Sequence, residues 1–247
     1  MRPDRRPRSS TRLGVVAACR YTMVFTILWR LPYIIRIDGA RCRWSAERGG
    51  RTMARTSNAR QDAIEAAVRL FRSQGYSATG LSQLLEESGA PKGSFYFHFP
   101  GGKEQLALEA LTVFGEEIRS RIARRAATVG GDTPAFIRAM FEATARELES
   151  SDYTAGCVAS NLGGEMSSGN RPIAEAVTTV VKSWVEAIAD GVASRFETRD
   201  AAMAYASTVM AALSGVRTMA RAQRSTAMFG SIAEVLIAGL PAARPAG

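Results

Sequence analysis

The stretch GAPKGSFYFHFPGGKEQL, residues 89–106, places four aromatic rings and a histidine at five consecutive positions. Pro91 is favoured at a first helical position, because the N–H that proline lacks would be unpaired there in any case. We therefore predict a short helix over residues 91–98. Phe95 and Phe99 are four residues apart and so share one face of this helix, where we expect both rings to pack beneath the helices that precede it.

Two helices are predicted before this stretch. Apolar residues at helical spacing mark the face of the first helix: Ile64, Ala67, Val68 and Phe71. Gly75 stands where a helix end favours left-handed backbone. Thr79 is predicted to cap a short second helix whose inward residues are Leu81, Leu84 and Leu85. With a turn at Gly89 before the third helix, the pattern is typical of a helix-turn-helix.

The surface of the third helix suits a DNA groove. A helix enters the major groove, about 12 Å wide, when its leading surface is small and its flanks hold phosphates. Lys92 and Lys103 bracket the element with positive charge, and Gly93 and Ser94 keep its leading surface small. Tyr96 combines a flat ring with a hydroxyl donor, so we expect it to face the DNA backbone.

Helical patterns continue to the end of the chain, with no alternation typical of a strand. Further helices are predicted from Lys103, from a cap at Thr133, and over residues 172–196, 200–224 and 227–240; a glycine-rich connector is predicted at 152–171. The predicted fold class is all-α. A three-helix helix-turn-helix DNA-binding domain occupies residues 53–106, and a helical ligand-binding and dimerisation domain occupies residues 107–240, before a disordered tail at 241–247.

The positive charge of the chain is confined to its N-terminal fifth. The chain has a net charge of +9, and residues 1–52 hold twelve arginines and three acidic residues, which alone give +9. The remaining 195 residues contain equal numbers of basic and acidic side chains. Net charge therefore carries no argument for DNA binding by residues 53–247.

Residues 1–52 are unlike the rest of the chain. Their longest charge-free stretch, residues 21–29, is shorter than the roughly 20 residues that span a bilayer. Three interpretations remain: an over-extended start with Met53 as the initiator, a functional basic or disordered extension, and a membrane anchor. We favour the first, since the sequence from Met53 resembles the start of a protein, and we expect no membrane attachment.

The sequence argues against catalysis and metal binding. His98 is the only histidine, so a Ser–His–Asp or Cys–His arrangement has no base beyond a residue already assigned to the DNA surface. No His/Cys/carboxylate cluster has metal-ligand spacing. Cys157 is the single cysteine after residue 52, which fits a reducing cytoplasm. We predict a cytoplasmic protein that is not an enzyme and has no cofactor.

The segment GYSATGLSQLLEESGAPKGSFYFHFPGGKEQL, residues 75–106, resembles the DNA-binding domain of the TetR/AcrR family of bacterial transcriptional regulators. GCVASNLGGEM, residues 156–166, is similar to the ligand domain of the subgroup that includes the lincomycin-resistance repressor and a flavonoid-responsive repressor. The resemblance implies DNA contacts from seven residues: Thr79, Lys92, Gly93, Ser94, Tyr96, His98 and Lys103. His98 without these neighbours would be an ordinary surface histidine.

The C-terminal domain is predicted to bind an apolar effector. Candidate lining residues are Phe114, Ile118, Met140, Phe141, Asn161, Glu165 and Trp184. The helix from Asp200 is rich in small residues that permit close helix approach, so a homodimer seam is expected there: Ala204, Ser207, Ala211, Ala212, Ser214 and Gly215, with Ile232, Val235 and Leu236 of the last helix. The alternative for these helices is an intrachain core.

These observations together predict a homodimeric transcriptional regulator. We expect a repressor that binds double-stranded DNA at a palindromic operator and is released by a small apolar or aromatic ligand. The alternative is a helical carrier protein that binds small molecules but not DNA.

Overall fold

The computed structural model describes residues 59–242, and within this range the chain is all-α, as predicted. The helices are α1 (Ala59–Ser73), α2 (Leu81–Ser88), α3 (Lys92–His98), α4 (Gly102–Thr128), α5 (Thr133–Ser150), α6 (Val158–Met166), α7 (Arg171–Val192), α8 (Arg199–Gln223) and α9 (Met228–Ala238). A short 3-10 turn, Ala193–Arg195, follows α7. The predictions for residues 1–52 and almost all of the predicted tail lie outside the described residues.

The first three helices enclose a core built on phenylalanine. Phe95 and Phe99 are fully buried, with their ring centroids 5.2 Å apart, which confirms the prediction from their spacing. Phe71 of α1 and Leu84 of α2 are buried in the same core. The short helix α3 is therefore held by its apolar face, and its opposite face remains exposed.

Two predicted helix caps are wrong. Gly80, not Thr79, precedes α2, and no side chain caps that helix. The buried Thr79 hydroxyl instead donates to the carbonyl oxygen of Gly75 at 2.6 Å, closing the turn between α1 and α2. At α5 the carboxylate of Asp132 accepts from the backbone N–H of Ala135 at 3.0 Å, so the cap lies one residue before Thr133.

The predicted connector at residues 152–171 contains helix α6. Its buried residues Val158, Ala159 and Leu162 share one face, and α6 packs against α7 and α1. Burial of this face outweighs the low helix propensity of Gly163 and its neighbour, because most helical stability in proteins comes from tertiary packing.

The C-terminal helices pack around α7. It lies against α4 and α8, while α5 packs against α9. The buried indole N–H of Trp184 in α7 donates to the carbonyl oxygen of Gly115 in α4 at 2.8 Å. A Cβ at Gly115 would lie 2.8 Å from Val180, so this glycine permits the close approach of the two helices. Helix α4 runs uninterrupted past the predicted domain boundary at residues 106 and 107.

We predict that Phe95→Ala lowers the free energy of unfolding by about 3 kcal/mol, the usual cost of a large cavity in a core. Phe97→Ala in the same helix is the matched control, because that side chain is 82% exposed and its loss costs less than about 0.5 kcal/mol. Urea unfolding followed by circular dichroism measures both. Equal losses for the two variants would contradict this packing.

Candidate DNA-binding surface and effector cavity

The outer face of α3 presents polar and aromatic groups to solvent. Lys92 and Gly93 are exposed at its start, and Tyr96 is 44% exposed one turn later. The ring of Tyr96 meets the edge of buried Phe95, with centroids 5.5 Å apart, which fixes its direction. Ser94 and His98 are partly exposed; together with Lys92, Gly93 and Tyr96 they make up what we call the α3 surface.

Two of the predicted DNA contacts have partners inside the protein. Thr79 is fully buried, so its hydroxyl presents no surface to a phosphate. Lys103 donates from Nζ to the carbonyl oxygen of Tyr76 at 2.6 Å and stands 3.9 Å from the centroid of the Tyr76 ring. Burial lowers the pKa of Lys103, and the charge of Glu165 opposes that shift. Lys103 thus joins the start of α4 to the turn after α1.

Helix α6 supplies the polar groups that satisfy the end of α1. Asn161 donates from Nδ2 to the carbonyl oxygen of Phe71 at 2.7 Å. The Glu165 carboxylate accepts from the backbone N–H groups of Tyr76 at 3.0 Å and Ser77 at 2.6 Å. Asn161 and Glu165 were predicted to bind ligand, but both lie at this contact between α6 and the helix-turn-helix, which we call the α1–α6 junction.

The hydrogen bonds of Glu165 outweigh its loss of hydration. Burial raises the pKa of this carboxyl, but the N–H groups of Ser77 and Tyr76 and the charge of Lys103 bring it below its usual value. A carboxyl with a lowered pKa contributes stability at neutral pH and loses it as the pH falls through the folded-state pKa. The α1–α6 junction is therefore strongest when Glu165 is ionised.

Two adjoining cavities lie between α4, α6, α7 and α8. The inner cavity, about 50 Å³, is lined by Phe114, Ile118, Trp184 and Arg217. The outer cavity, about 430 Å³, is lined by α6, α7 and α8, and Trp184 borders both. Phe114, Ile118 and Trp184 are three of the seven residues that were predicted to line the effector site.

The remaining candidates on α5 lie elsewhere. Met140 and Phe141 are buried, and the Phe141 ring packs against Phe229 of α9 with centroids 6.2 Å apart. Neither residue lines the inner or the outer cavity. Their place is the core between α5 and α9, which helical periodicity alone does not distinguish from a cavity wall.

A charged cluster beside the inner cavity has no counterpart in the sequence prediction. Glu147 of α5 forms an ion pair with Arg72 of α1, with 2.8 Å between nitrogen and oxygen, and accepts a hydrogen bond from Arg217 of α8 at 3.0 Å. Burial raises the pKa of Glu147, but the charges of Arg217 and Arg72 outweigh burial and hold it below its usual value. We call these three side chains the Glu147 cluster. Pairs separated by 70 residues or more leave no local pattern in a sequence.

Comparison with known proteins gives the same architecture. Residues 63–110 match the family model described as bacterial regulatory proteins, tetR family, and residues 134–235 match the model for the C-terminal domain of LmrA/YxaF-like transcriptional regulators. The HTH-type transcriptional regulator LmrA of Bacillus subtilis is 41% identical over 51% of this chain and 67% of its own length. YxaF of the same organism, an uncharacterized HTH-type regulator, is 36% identical over 53% of this chain and 69% of its own length.

Solved structures share the fold. A regulatory protein TetR from Rhodobacter sphaeroides superposes with a TM-score of 0.65 at 21% identity, covering 74% of this chain and 99% of that one. The reduced form of E. coli NemR superposes with a TM-score of 0.63 at 18% identity, covering 74% of this chain and 98% of that one.

The exposed α3 surface on a three-helix core, followed by a helical domain with cavities between its helices, defines a helix-turn-helix regulator. The chain belongs to the TetR family of bacterial regulatory proteins, with a C-terminal domain of the LmrA/YxaF type. It is a DNA-binding transcriptional regulator and not an enzyme. Within residues 59–242, no helix has the length and apolar character needed to cross a membrane.

We predict that Glu165→Gln loosens the turn between α1 and α2. Loss of the carboxylate weakens two charge-assisted bonds, and because the site is partly exposed we expect a cost of about 1 kcal/mol, a roughly fivefold faster amide exchange. Hydrogen–deuterium exchange of peptides covering Tyr76 and Ser77 measures it. Glu142→Gln is the control, since Glu142 pairs only with Arg146 on its own helix. Unchanged exchange in Glu165→Gln would show that Glu165 does not hold the turn between α1 and α2.

Proposed function

We propose that the protein is a repressor that binds a palindromic operator as a homodimer and leaves it when a small apolar or aromatic ligand occupies the cavities. The observation that carries the proposal is the α3 surface, a small, exposed, partly cationic helix face fixed from behind by buried Phe95 and Phe99. DNA and such ligands meet in the cytoplasm, where we expect the protein to act.

The α3 surface offers donors at three heights along the groove. Lys92 supplies a phosphate contact at the start of the helix, and the exposed Gly93 and Ser94 bring the backbone close to base edges. Tyr96 and His98 are two residues apart and so lie on opposite flanks of the helix, where each can donate to a DNA phosphate. Lys103, already bonded to Tyr76, stays a prediction as a phosphate contact, whereas Thr79 acts by shaping the turn.

The exposed faces of α8 and α9 support a dimer seam. Ala204, Ser207 and Ala211 are exposed on α8 at intervals of three and four residues, so they form one stripe of small side chains. Ser207 and Ala211 also line the outer cavity, so the proposed seam adjoins the proposed ligand site. Val235 of α9, which is predicted to lie in the seam, is 73% exposed and therefore accessible to a second protomer. Leu236, by contrast, is buried within the protomer and belongs to its core.

A two-fold dimer explains how one ligand site controls DNA binding. Such a dimer sets its two α3 helices about 34–36 Å apart, the distance between successive major grooves on one side of the duplex. A ligand that binds better to a differently spaced dimer draws the population away from the DNA-binding form. By linkage, DNA weakens ligand binding by the same factor.

We predict that Lys92→Ala weakens DNA binding and reduces the log–log salt slope by about 0.9, the value for one phosphate contact. Tyr96→Ala weakens binding as well, through the loss of its hydroxyl and ring. Lys182→Ala is the control, because that lysine is exposed on α7, away from the α3 surface. Fluorescence anisotropy with DNA from upstream of the gene measures all three.

Wild-type affinity in both Lys92→Ala and Tyr96→Ala would show that the contacts are misassigned. A wild-type protein that binds ligand but has no salt-dependent affinity for any duplex would favour the carrier alternative.

We predict that Val235→Glu converts the dimer to a monomer of 26.6 kDa in light scattering after size exclusion. A charge placed in the seam would be buried without a partner, which is strongly unfavourable. Val113→Glu on α4 is the matched control, since this valine is also exposed but lies outside the proposed seam. If Val235→Glu stays dimeric, the seam lies on another face.

A further inference from the structure

The Glu147 cluster contains more positive than negative charge. One carboxylate serves two guanidinium groups, Arg72 through Oε1 and Arg217 through Oε2. Arg121 also lies 3.6 Å from Oε1 of Glu147, and its closer ion-pair partner is Glu117. The side chains of Arg72, Glu147 and Arg217 are all between 15% and 23% exposed, so solvent screens the excess charge poorly.

One of the two guanidinium groups, that of Arg217, stands at the wall of the inner cavity, and the other lies beside a residue of that wall. Arg217 lines this cavity directly. Arg72 lies 5.3 Å from the centroid of the Phe114 ring, and Phe114 lines the same cavity. A partly buried excess of cations is costly unless a counter-charge reaches it. The position of the inner cavity makes it the place where a counter-charge can enter.

The sizes of the two cavities fit two parts of one molecule. The inner cavity, about 50 Å³, exceeds the roughly 10–15 Å³ that one water needs by this measure and suits a group of a few atoms. The outer cavity, about 430 Å³, falls in the range of small-molecule sites and is bordered by Val177, Val181 and Trp184. Trp184 and Met210 border both cavities, so only side chains separate them.

We propose that the effector is an organic anion, with a flat apolar body in the outer cavity and a carboxylate, sulfonate or phenolate in the inner cavity bound by Arg217. Guanidinium pairs with such oxyanions through two parallel N–H bonds, which favours arginine over lysine in this role. The inference rests on the proposed ligand site and adds the charge of the ligand to it.

The bound anion also reaches the helix-turn-helix. Arg217 now donates to Glu147, and Glu147 in turn holds Arg72 near the end of α1. An acid that takes a guanidinium edge of Arg217 competes with Glu147 and changes the partner available to Arg72. Arg72 also donates from Nε to the carbonyl oxygen of Gly156 at 3.0 Å, just before α6, so the change lies at the α1–α6 junction.

The test uses two fluorescent probes with the same aromatic body. The first, 8-anilinonaphthalene-1-sulfonate, carries a permanent negative charge, and the second, N-phenyl-1-naphthylamine, lacks the sulfonate. We expect the full-length wild-type protein to bind the sulfonate at least tenfold more tightly than the neutral probe. Arg217→Gln should abolish this preference while retaining affinity for the neutral probe, and Arg217→Lys should keep part of it.

Glu147→Gln should change the affinity for the sulfonate probe in the opposite direction to Arg217→Gln. Removal of the competing carboxylate frees both guanidinium groups, so the sulfonate should bind several-fold more tightly than to wild type. Arg171→Gln is the control, because Arg171 is almost fully exposed on α7 and should leave both probes unaffected.

The proposal is overturned if wild type does not prefer the sulfonate, or if Arg217→Gln keeps the preference. If Arg217→Gln does not fold, Glu147→Gln decides the matter, and failure to tighten sulfonate binding overturns the proposal. The assay contains no DNA, so its outcome is separate from the outcome of the Lys92 and Tyr96 experiments.

Discussion

The orientation of the DNA-binding helices against the C-terminal domain depends on the hydrogen bonds that the last carbonyl groups of α1 accept. A helix leaves its last carbonyl groups without partners in its own backbone, and here the partners come from the C-terminal domain. Asn161 donates to the carbonyl oxygen of Phe71. The backbone N–H of Gly156 donates to the carbonyl oxygen of Arg72. The side chain of Arg221 donates to the carbonyl oxygen of Ser73. The residues just beyond are held by Glu165 through their N–H groups. The helix-turn-helix therefore cannot rotate against α6 without exposing several polar groups at once.

Helix α6 has one face at the α1–α6 junction and another at the outer cavity, so the DNA-binding helices and the proposed ligand site contact the same helix. Asn161 and Glu165 point to the α1–α6 junction, whereas Ser160, Gly163 and Gly164 line the outer cavity. Gly163 and Gly164 have no side chain to fill the outer cavity, and glycine within a helix lowers its stability by about 1 kcal/mol relative to alanine.

The sequence was most informative where a local spacing has a physical meaning. The four-residue interval between Phe95 and Phe99 predicted that both rings are buried. It failed at α6, because two adjacent glycines obscure a pattern that tertiary packing then stabilises. The sequence also did not predict the roles of Asn161 and Glu165.

Asn161 and Glu165 were predicted to line the effector site, and the structure places both at the α1–α6 junction. Their partners on α1 and the following turn lie about 90 residues earlier in the chain, and no sequence spacing encodes such a pairing. The Glu147 cluster is a second case, because Arg72 precedes Glu147 in the sequence and Arg217 follows it, each by 70 residues or more.

The energies at the α1–α6 junction are of the size that regulation requires. A tenfold coupling between ligand and DNA corresponds to about 1.4 kcal/mol, and couplings of about 1–3 kcal/mol are usual. One hydrogen bond to a charged group contributes about 1.5–3 kcal/mol when shielded and less when exposed. Loss or reorientation of the Glu165 contacts alone would therefore supply a coupling of ordinary size. Under the proposed function, a small shift of α6 would therefore be sufficient to weaken operator binding.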